Sequence, residues 1–114
     1  MPNLRELHLH RNQITSLDGL SGCPRLHKLW IFQNKLTSLL GLHAVPELSM
    51  LWIQANNITS LKGIEMVKDL TELCLSGNPI SDFEELQRLS KRRLPNLHNL
   101  SLNDVHFGRY VVFA

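Results

Sequence analysis

Residues 48–56 read Leu48-Ser49-Met50-Leu51-Trp52-Ile53-Gln54-Ala55-Asn56, and their pattern, Leu-x-x-Leu-x-Leu/Ile-x-x-Asn, recurs at Leu4–Asn12, Leu26–Asn34 and Leu70–Asn78. Successive copies lie 22 residues apart. A fixed period of this length means that one supersecondary unit is stacked on itself, each unit burying its apolar side only against its neighbours. Such a chain is a solenoid. It offers a long regular surface rather than an enclosed pocket.

Within each unit, apolar and polar positions alternate across Leu7-His8-Leu9, Leu29-Trp30-Ile31, Leu51-Trp52-Ile53 and Leu73-Cys74-Leu75. Period-2 alternation calls for short strands with one face buried, and strands repeated at constant spacing must pair in parallel. The apolar frame continues through Ile14, Leu17, Leu20 and Cys23 in the first unit and Leu36, Leu39, Leu42 and Val45 in the second. Ile58, Leu61, Ile64 and Val67 follow, then Ile80, Phe83, Leu86 and Leu89. Asn12, Asn34, Asn56 and Asn78 fall where the chain leaves the strand. A side-chain amide both donates and accepts there, satisfying backbone groups that the bend would otherwise strand in the core.

These residues resemble the leucine-rich repeat, in the short 22-residue form found in eukaryotic intracellular proteins, over nearly the whole chain. The resemblance implies an α/β fold: a right-handed curved solenoid with a parallel sheet on the concave face and short helical or irregular segments on the convex face. Five repeats are expected in one domain spanning residues 1–114, at approximately 4–25, 26–47, 48–69, 70–96 and 97–114. The fifth begins 27 residues after Leu70, with Leu97, Leu100 and Leu102 in the strand pattern and Phe107, Tyr110 and Phe113 in the later apolar positions. Val105 takes its ladder position, so the asparagine network is expected to stop there. The five extra residues fall in the fourth unit, where Ser81 and Glu84 form a capping box and Phe83, Leu86 and Leu89 share a helical face. This segment is expected to be a genuine helix, with Lys91, Arg92 and Arg93 complementing the dipole at its end.

The 12 basic and 10 acidic residues are scattered and leave a formal charge of +2, which predicts neither nucleic acid nor an anionic membrane as a partner. Lys91-Arg92-Arg93 falls short of the about five to eight basic residues of a nucleic-acid or targeting patch. No stretch approaches the roughly 18 apolar residues of a membrane span. The first repeat begins at Leu4, leaving no room for a signal peptide. Cys23 takes a core register while Cys74 points out of the sheet, so a disulfide between them is not expected, and free thiols point to a reducing, cytoplasmic setting. The sequons at Asn57 and Asn99 are read as incidental. Met1-Pro2-Asn3 leads straight into the first strand and Ala114 follows the last apolar register directly. A fragment of a longer solenoid that self-associates through uncapped ends is the expectation.

Function must come from outward residues of the strands. Aligning the repeats gives one column of Glu6, Lys28, Met50, Glu72 and Asn99, a second of His8, Trp30, Trp52, Cys74 and Ser101, and a third of His10, Phe32, Gln54, Ser76 and Asn103. Trp30 and Trp52 are neighbours roughly 4.8 Å apart at the backbone. Each large aromatic buries about 150–250 Å² on docking, and Trp is enriched among interface residues worth about 2 kcal/mol or more. The partner-binding set is therefore Trp30 and Trp52 as anchors, Phe32 and Met50 beside them, and His8, His10, Lys28 and Gln54 at the rim. The bland alternative is that the two indoles stack on each other and merely stiffen the sheet. Two rim histidines would make affinity depend on pH near neutrality.

The Leu-Trp-Ile strands also resemble the protein phosphatase 1 regulatory subunit built from 22-residue repeats, whose concave face implies a phosphatase-holding role for Trp30, Phe32 and Trp52. No acidic cluster accompanies them here. The segment Leu97–Asp104 looks closest to ciliary and flagellar leucine-rich repeat proteins, which implies a scaffold in cilia or flagella. An enzyme is the reading from another class, either metal-dependent through Glu6, His8 and His10 or thiol-dependent through Cys74. Two His at i and i+2 lack further ligands and a second shell, Cys74 has no adjacent His, and an open sheet excludes water poorly. The expectation is an intracellular protein-interaction module that binds another protein on its concave face and uses no cofactor or metal.

Overall fold

A repeat of 22 residues can spare only three for a strand if the rest must cross the core and return. The computed structural model, which describes residues 1–102, shows this division. Its strands are β1 (Glu6–His8), β2 (Lys28–Trp30), β3 (Met50–Trp52), β4 (Glu72–Cys74) and β5 (Asn99–Ser101). They lie in one open parallel sheet in chain order. Glu6, Lys28, Met50 and Glu72 are successive partners, as are His8, Trp30, Trp52 and Cys74. Between β4 and β5 the offset grows, placing Asn99 opposite Glu72 and Ser101 opposite Cys74. Backbone hydrogen bonds continue past the strands, from Arg11 N to Phe32 O, Gln33 N to Gln54 O and Ala55 N to Ser76 O, so the third column keeps register too.

The core is the stack of inward apolar positions. Leu29, Leu51 and Leu73 at the strand centres are fully buried, as are Leu36, Leu39, Leu42, Ile58, Leu61 and Ile64 behind them. Burial fades toward the ends, because a terminal unit has a neighbour on one side only. Leu7 and Ile14 are half-buried and Leu100 is exposed. Cys23, in the register of the buried Val45 and Val67, is half-buried for the same reason. Both cysteines are free thiols. Val105, Phe107, Tyr110 and Phe113 lie outside the described residues.

The asparagine positions are built as hydrogen-bonded brackets. Asn34 Nδ2 donates to the carbonyls of Leu9 (2.9 Å) and Ile31 (3.0 Å), while its Oδ1 accepts from Ile14 N (3.0 Å). Asn56 repeats this with Ile31, Ile53 and Leu36 N, and Asn78 with Ile53, Leu75 and Ile58 N. Each bracket thus ties its own strand end to the preceding repeat. Asn12 donates only to the carbonyls of Leu9 and His10, both in its own repeat. The residue before each asparagine takes positive φ: Arg11, Gln33, Ala55 and Gly77.

A second column escapes a reading confined to apolar positions. Gly19, Gly41 and Gly63 adopt φ of 100°, 113° and 103° just before the 3-10 turns Leu20–Gly22, Leu42–Ala44 and Ile64–Met66. An L side chain is strained there, and a Cβ on Gly41 would lie 3.0 Å from Leu17 Cβ and 3.2 Å from Leu17 O. The next place in this 22-residue series is Glu85. Without a glycine the fourth unit does not repeat the turn, and its convex segment becomes a longer 3-10 helix, Phe83–Leu89.

That helix departs from expectation in four respects. It is 3-10 rather than α, and its N-cap is Asp82, whose carboxylate accepts from Glu84 N at 2.9 Å, rather than Ser81. Phe83 is exposed rather than in the core. The helix ends at Leu89, so Lys91, Arg92 and Arg93 lie in the exposed turn beyond it, and Arg88 is the basic residue of its last turn. Glu85 supplies the physical reason. Its Oε1 accepts from Ser60 Oγ (2.7 Å) and Leu61 N (2.6 Å), and Arg88 Nε donates to Oε2 at 3.2 Å. Meeting those donors on the preceding repeat draws the segment against it. Burial raises the Glu85 carboxyl pKa, but hydrogen bonds from Ser60, Leu61 and Arg88, with the Arg88 charge, outweigh it and hold the group below the ordinary value.

Candidate functional site

The open face of the sheet carries side chains that alternate away from the core, so parallel pairing sets equivalent residues in rows. Glu6, Lys28, Met50, Glu72 and Asn99 form one such row, and His8, Trp30, Trp52, Cys74 and Ser101 the next. Phe32 and Gln54 follow Ile31 and Ile53 in the third column; Asn103 lies outside the described residues. All eight candidate contact residues therefore come from the first three repeats, on one face.

Their mutual arrangement differs from a naked aromatic patch. The Trp30 and Trp52 rings meet edge to face, with centroids 5.6 Å apart and planes at 73°. They do not stack on one another. The stacked partners are histidines: His8 on Trp30, centroids 4.1 Å apart with planes 7° apart, and His10 on Phe32, 4.7 Å and 5°. His8 and His10 also touch edge to face at 6.3 Å. These two residues, expected at a rim, form part of the aromatic assembly itself. Cross-strand imidazole stacking covers one face of Trp30 and of Phe32, and the indole of Trp52 is tied down by its Nε1 donating to Glu72 Oε2 at 2.6 Å.

The consequence is burial intermediate between core and surface for Trp30, Phe32, Met50, Trp52, Lys28 and Gln54, while His8 and His10 remain exposed. The large apolar side chains most open to water sit elsewhere. Leu40 is 64% exposed and Met66 52% exposed, beside the 3-10 turns behind the sheet. The aromatic face holds its side chains in a fixed order before any partner arrives. Four stacked or edge-packed ring contacts would have to be rebuilt to present another shape, and aromatic pairs contribute about 0.5–1.5 kcal/mol each beyond area burial.

Glu72 was not singled out as a contact residue, yet it is the hub at the far end of the row. Besides binding Trp52, its Oε1 accepts from Asn99 Nδ2 at 2.8 Å, linking β3, β4 and β5 across the open face. Its place in the first column, diagonal to Trp52, was the signal available in the sequence. Beside it Trp52, Gln54, Glu72, Cys74, Asn99 and Ser101 border an open depression of about 250 Å³. Gln54 Oε1 is buried with no hydrogen-bond partner. Among the described residues, no group of three or more His, Cys, Asp or Glu is arranged to hold a metal, and no helix is long and apolar enough to cross a membrane.

A family model described as leucine rich repeats (2 copies) matches residues 2–42 and 46–88. No curated protein sequence matches. Among solved structures, the chain is similar to an internalin, InlF, of Listeria monocytogenes, with a TM-score of 0.82 and 26% identity over 90% of this chain and 29% of that one. Internalin C2 of the same organism gives 0.75 and 33% identity over 89% and 42%. The Drosophila melanogaster SNF/U2A′ complex gives 0.75 and 25% identity over 88% and 59%. The chain thus spans well under two thirds of the length of each of these proteins.

Proposed function

This chain belongs to the leucine-rich repeat family, and from that premise we propose that it is a non-catalytic interaction module which docks a protein partner on the open, concave face of its sheet. The observation that carries the reading is the preformed row of His8, Trp30 and Trp52 with His10 and Phe32 alongside, its indoles and phenyl ring half-buried, its imidazoles exposed, and all fixed by ring packing on a face that faces away from the core. Side chains already held in one arrangement lose little entropy on binding, and Trp is the residue type that most often dominates an interface. Trp30 and Trp52 act as anchors, with Phe32 and Met50 beside them. Lys28 and Gln54 border the row, and the two histidines are stacked within it rather than around it. A related fold is seen in the SNF/U2A′ complex, where it takes part in an assembly.

The setting we infer is intracellular, since Cys23 and Cys74 are free thiols. The finer placement, a scaffold in cilia or flagella, rests on the resemblance of residues 97–104 and is tested by the identity of the partner. The experiment compares capture by the wild-type chain, a Trp30→Ala/Phe32→Ala variant and a Leu40→Ser/Met66→Ser variant, followed by affinity measurement with the purified partner. Loss of about 2 kcal/mol per aromatic anchor corresponds to roughly 30-fold in affinity. Retention by the aromatic variant with loss from the Leu40/Met66 variant would move the binding site to the opposite side of the molecule.

A further inference from the structure

The depression over β4, bordered by β3 and β5, is chemically unlike the aromatic row it adjoins. Glu72 is the one acidic side chain among its lining residues, which otherwise are Trp52, Gln54, Leu73, Cys74, Asn99 and Ser101. The described ion pairs are His27–Glu47 and Arg88–Glu85, so no described residue neutralises Glu72. Its carboxylate is nevertheless held in place, by Trp52 Nε1 at one oxygen and Asn99 Nδ2 at the other. A carboxylate oxygen has two acceptor positions, so each retains one. Gln54, whose side chain lines the same depression, carries an Oε1 that is buried without a hydrogen-bond partner.

A buried acceptor without a donor costs about 1–3 kcal/mol until something supplies one. Gln54 Oε1 alone bears that cost, while the half-buried Glu72 carboxylate adds a negative charge and free acceptor positions beside the Trp52 indole, a combination that suits a cationic donor with a flat face. We propose that this depression is the subsite for an arginine side chain of the docked protein, its guanidinium bonding Glu72, lying against the Trp52 indole and meeting Gln54 Oε1 as that side chain turns toward the opening. The planar guanidinium carries five donors in a fixed fork and packs on aromatic faces, whereas the ammonium of lysine is a strongly hydrated point charge. The inference rests on the proposed docking face and names the chemistry of one residue on the partner.

The test is a titration of the ¹⁵N-labelled chain with the peptide acetyl-Gly-Arg-Gly-amide, and with its lysine and citrulline counterparts, followed at the Trp52 indole N–H, the Gln54 and Asn99 amides, and the Trp30 indole as reference. The expected result is a saturable shift at Trp52, Gln54 and Asn99, weak in absolute affinity because a single side chain is being bound, and little movement at Trp30. Glu72→Gln should weaken it at least about tenfold, as loss of a charge-assisted pair does. Gln54→Leu, at a position outside the strand, should weaken it severalfold and serves if Glu72→Gln disturbs the fold. A linear response, equal shifts with citrulline, or no effect of either variant would overturn the subsite, and equal binding of the lysine peptide would overturn its assignment to guanidinium. Trp30→Ala/Phe32→Ala leaves these lining residues intact. A chain that loses its partner through that variant but ignores the arginine peptide therefore refutes the subsite alone.

Discussion

Replacing Asn78 by alanine should be far more damaging than the same change at Asn12, although both residues occupy the same place in the repeat. Asn78 is 1% exposed. Its removal orphans the carbonyl of Leu75 and the amide of Ile58, both in buried residues, and takes one of two side-chain donors from the Ile53 carbonyl, which keeps Asn56 Nδ2. A buried polar group deprived of its partner costs about 1–3 kcal/mol, and relaxation shares that cost among neighbours, so the two orphaned groups together should amount to about 2–4 kcal/mol. Asn12 is exposed, bonds only to Leu9 and His10 carbonyls, and water can replace it; about 0.5–1 kcal/mol is expected. Asn34, 8% exposed, should fall near Asn78. Asn78→Asp keeps an acceptor for Ile58 N but turns a carboxylate toward two carbonyls, so it should cost at least as much as alanine. Urea denaturation followed by far-ultraviolet circular dichroism reads these differences directly. With a slope of about 1–3 kcal/mol per molar, Asn78→Ala should lower the midpoint by about 1 M. Slopes must be compared as well, since a stacked-repeat protein can lose cooperativity when one repeat is damaged. Costs at Asn12 and Asn78 within 0.5 kcal/mol of one another, as a rough limit of such measurements, would refute the view that buried brackets between repeats hold the strand ends.

Gly41→Ala should cost about 2–3 kcal/mol, since it adds a 3.0 Å contact with Leu17 Cβ to the strain of φ 113°, whereas Gly22→Ala, with nothing within 4 Å, should be nearly neutral; equal thermal midpoints for the two would contradict this. Glu85 has a lowered folded-state pKa, so its stabilisation is complete above the ordinary carboxyl value of 4.5 and disappears as pH falls through the lower folded value. Glu85→Gln should accordingly lose about 1–2 kcal/mol at pH 7, and the gap from wild type should close on acidification; a pH-independent gap would argue against a charge-dependent role. Among the described residues no strand lies beside the outer edge of β1, so the 114-residue chain should self-associate with concentration in sedimentation experiments, and flanking repeats should suppress it. A strictly monomeric species at high concentration would count against that edge as a contact.

Strand positions, their register and the identity of the core were legible from the 22-residue spacing, because each unit packs only on its neighbours and sequence offset maps directly onto spatial offset. Leu29, Leu51, Leu73 and the asparagines could be placed without any long-range information. The glycine column was present in the same spacing and passed unnoticed because the reading followed apolar residues alone. Its interruption by Glu85 is visible in the sequence, but the consequence is not. Only the folded chain brings that carboxylate to Ser60 and Leu61 of the previous repeat, and with it an Asp82-capped 3-10 helix in place of the expected one. The candidate face divides in the same way. Alternation decides which residues point outward, so the placement of Trp30, Phe32, Met50 and Trp52 on the open face was legible in the sequence. Rotamers across neighbouring strands decide what those residues touch, so the stacking of His8 and His10 and the bridge from Trp52 through Glu72 to Asn99 belong to the tertiary structure. Backbone periodicity sets where a side chain starts; packing against side chains 20 or more residues away sets where it ends.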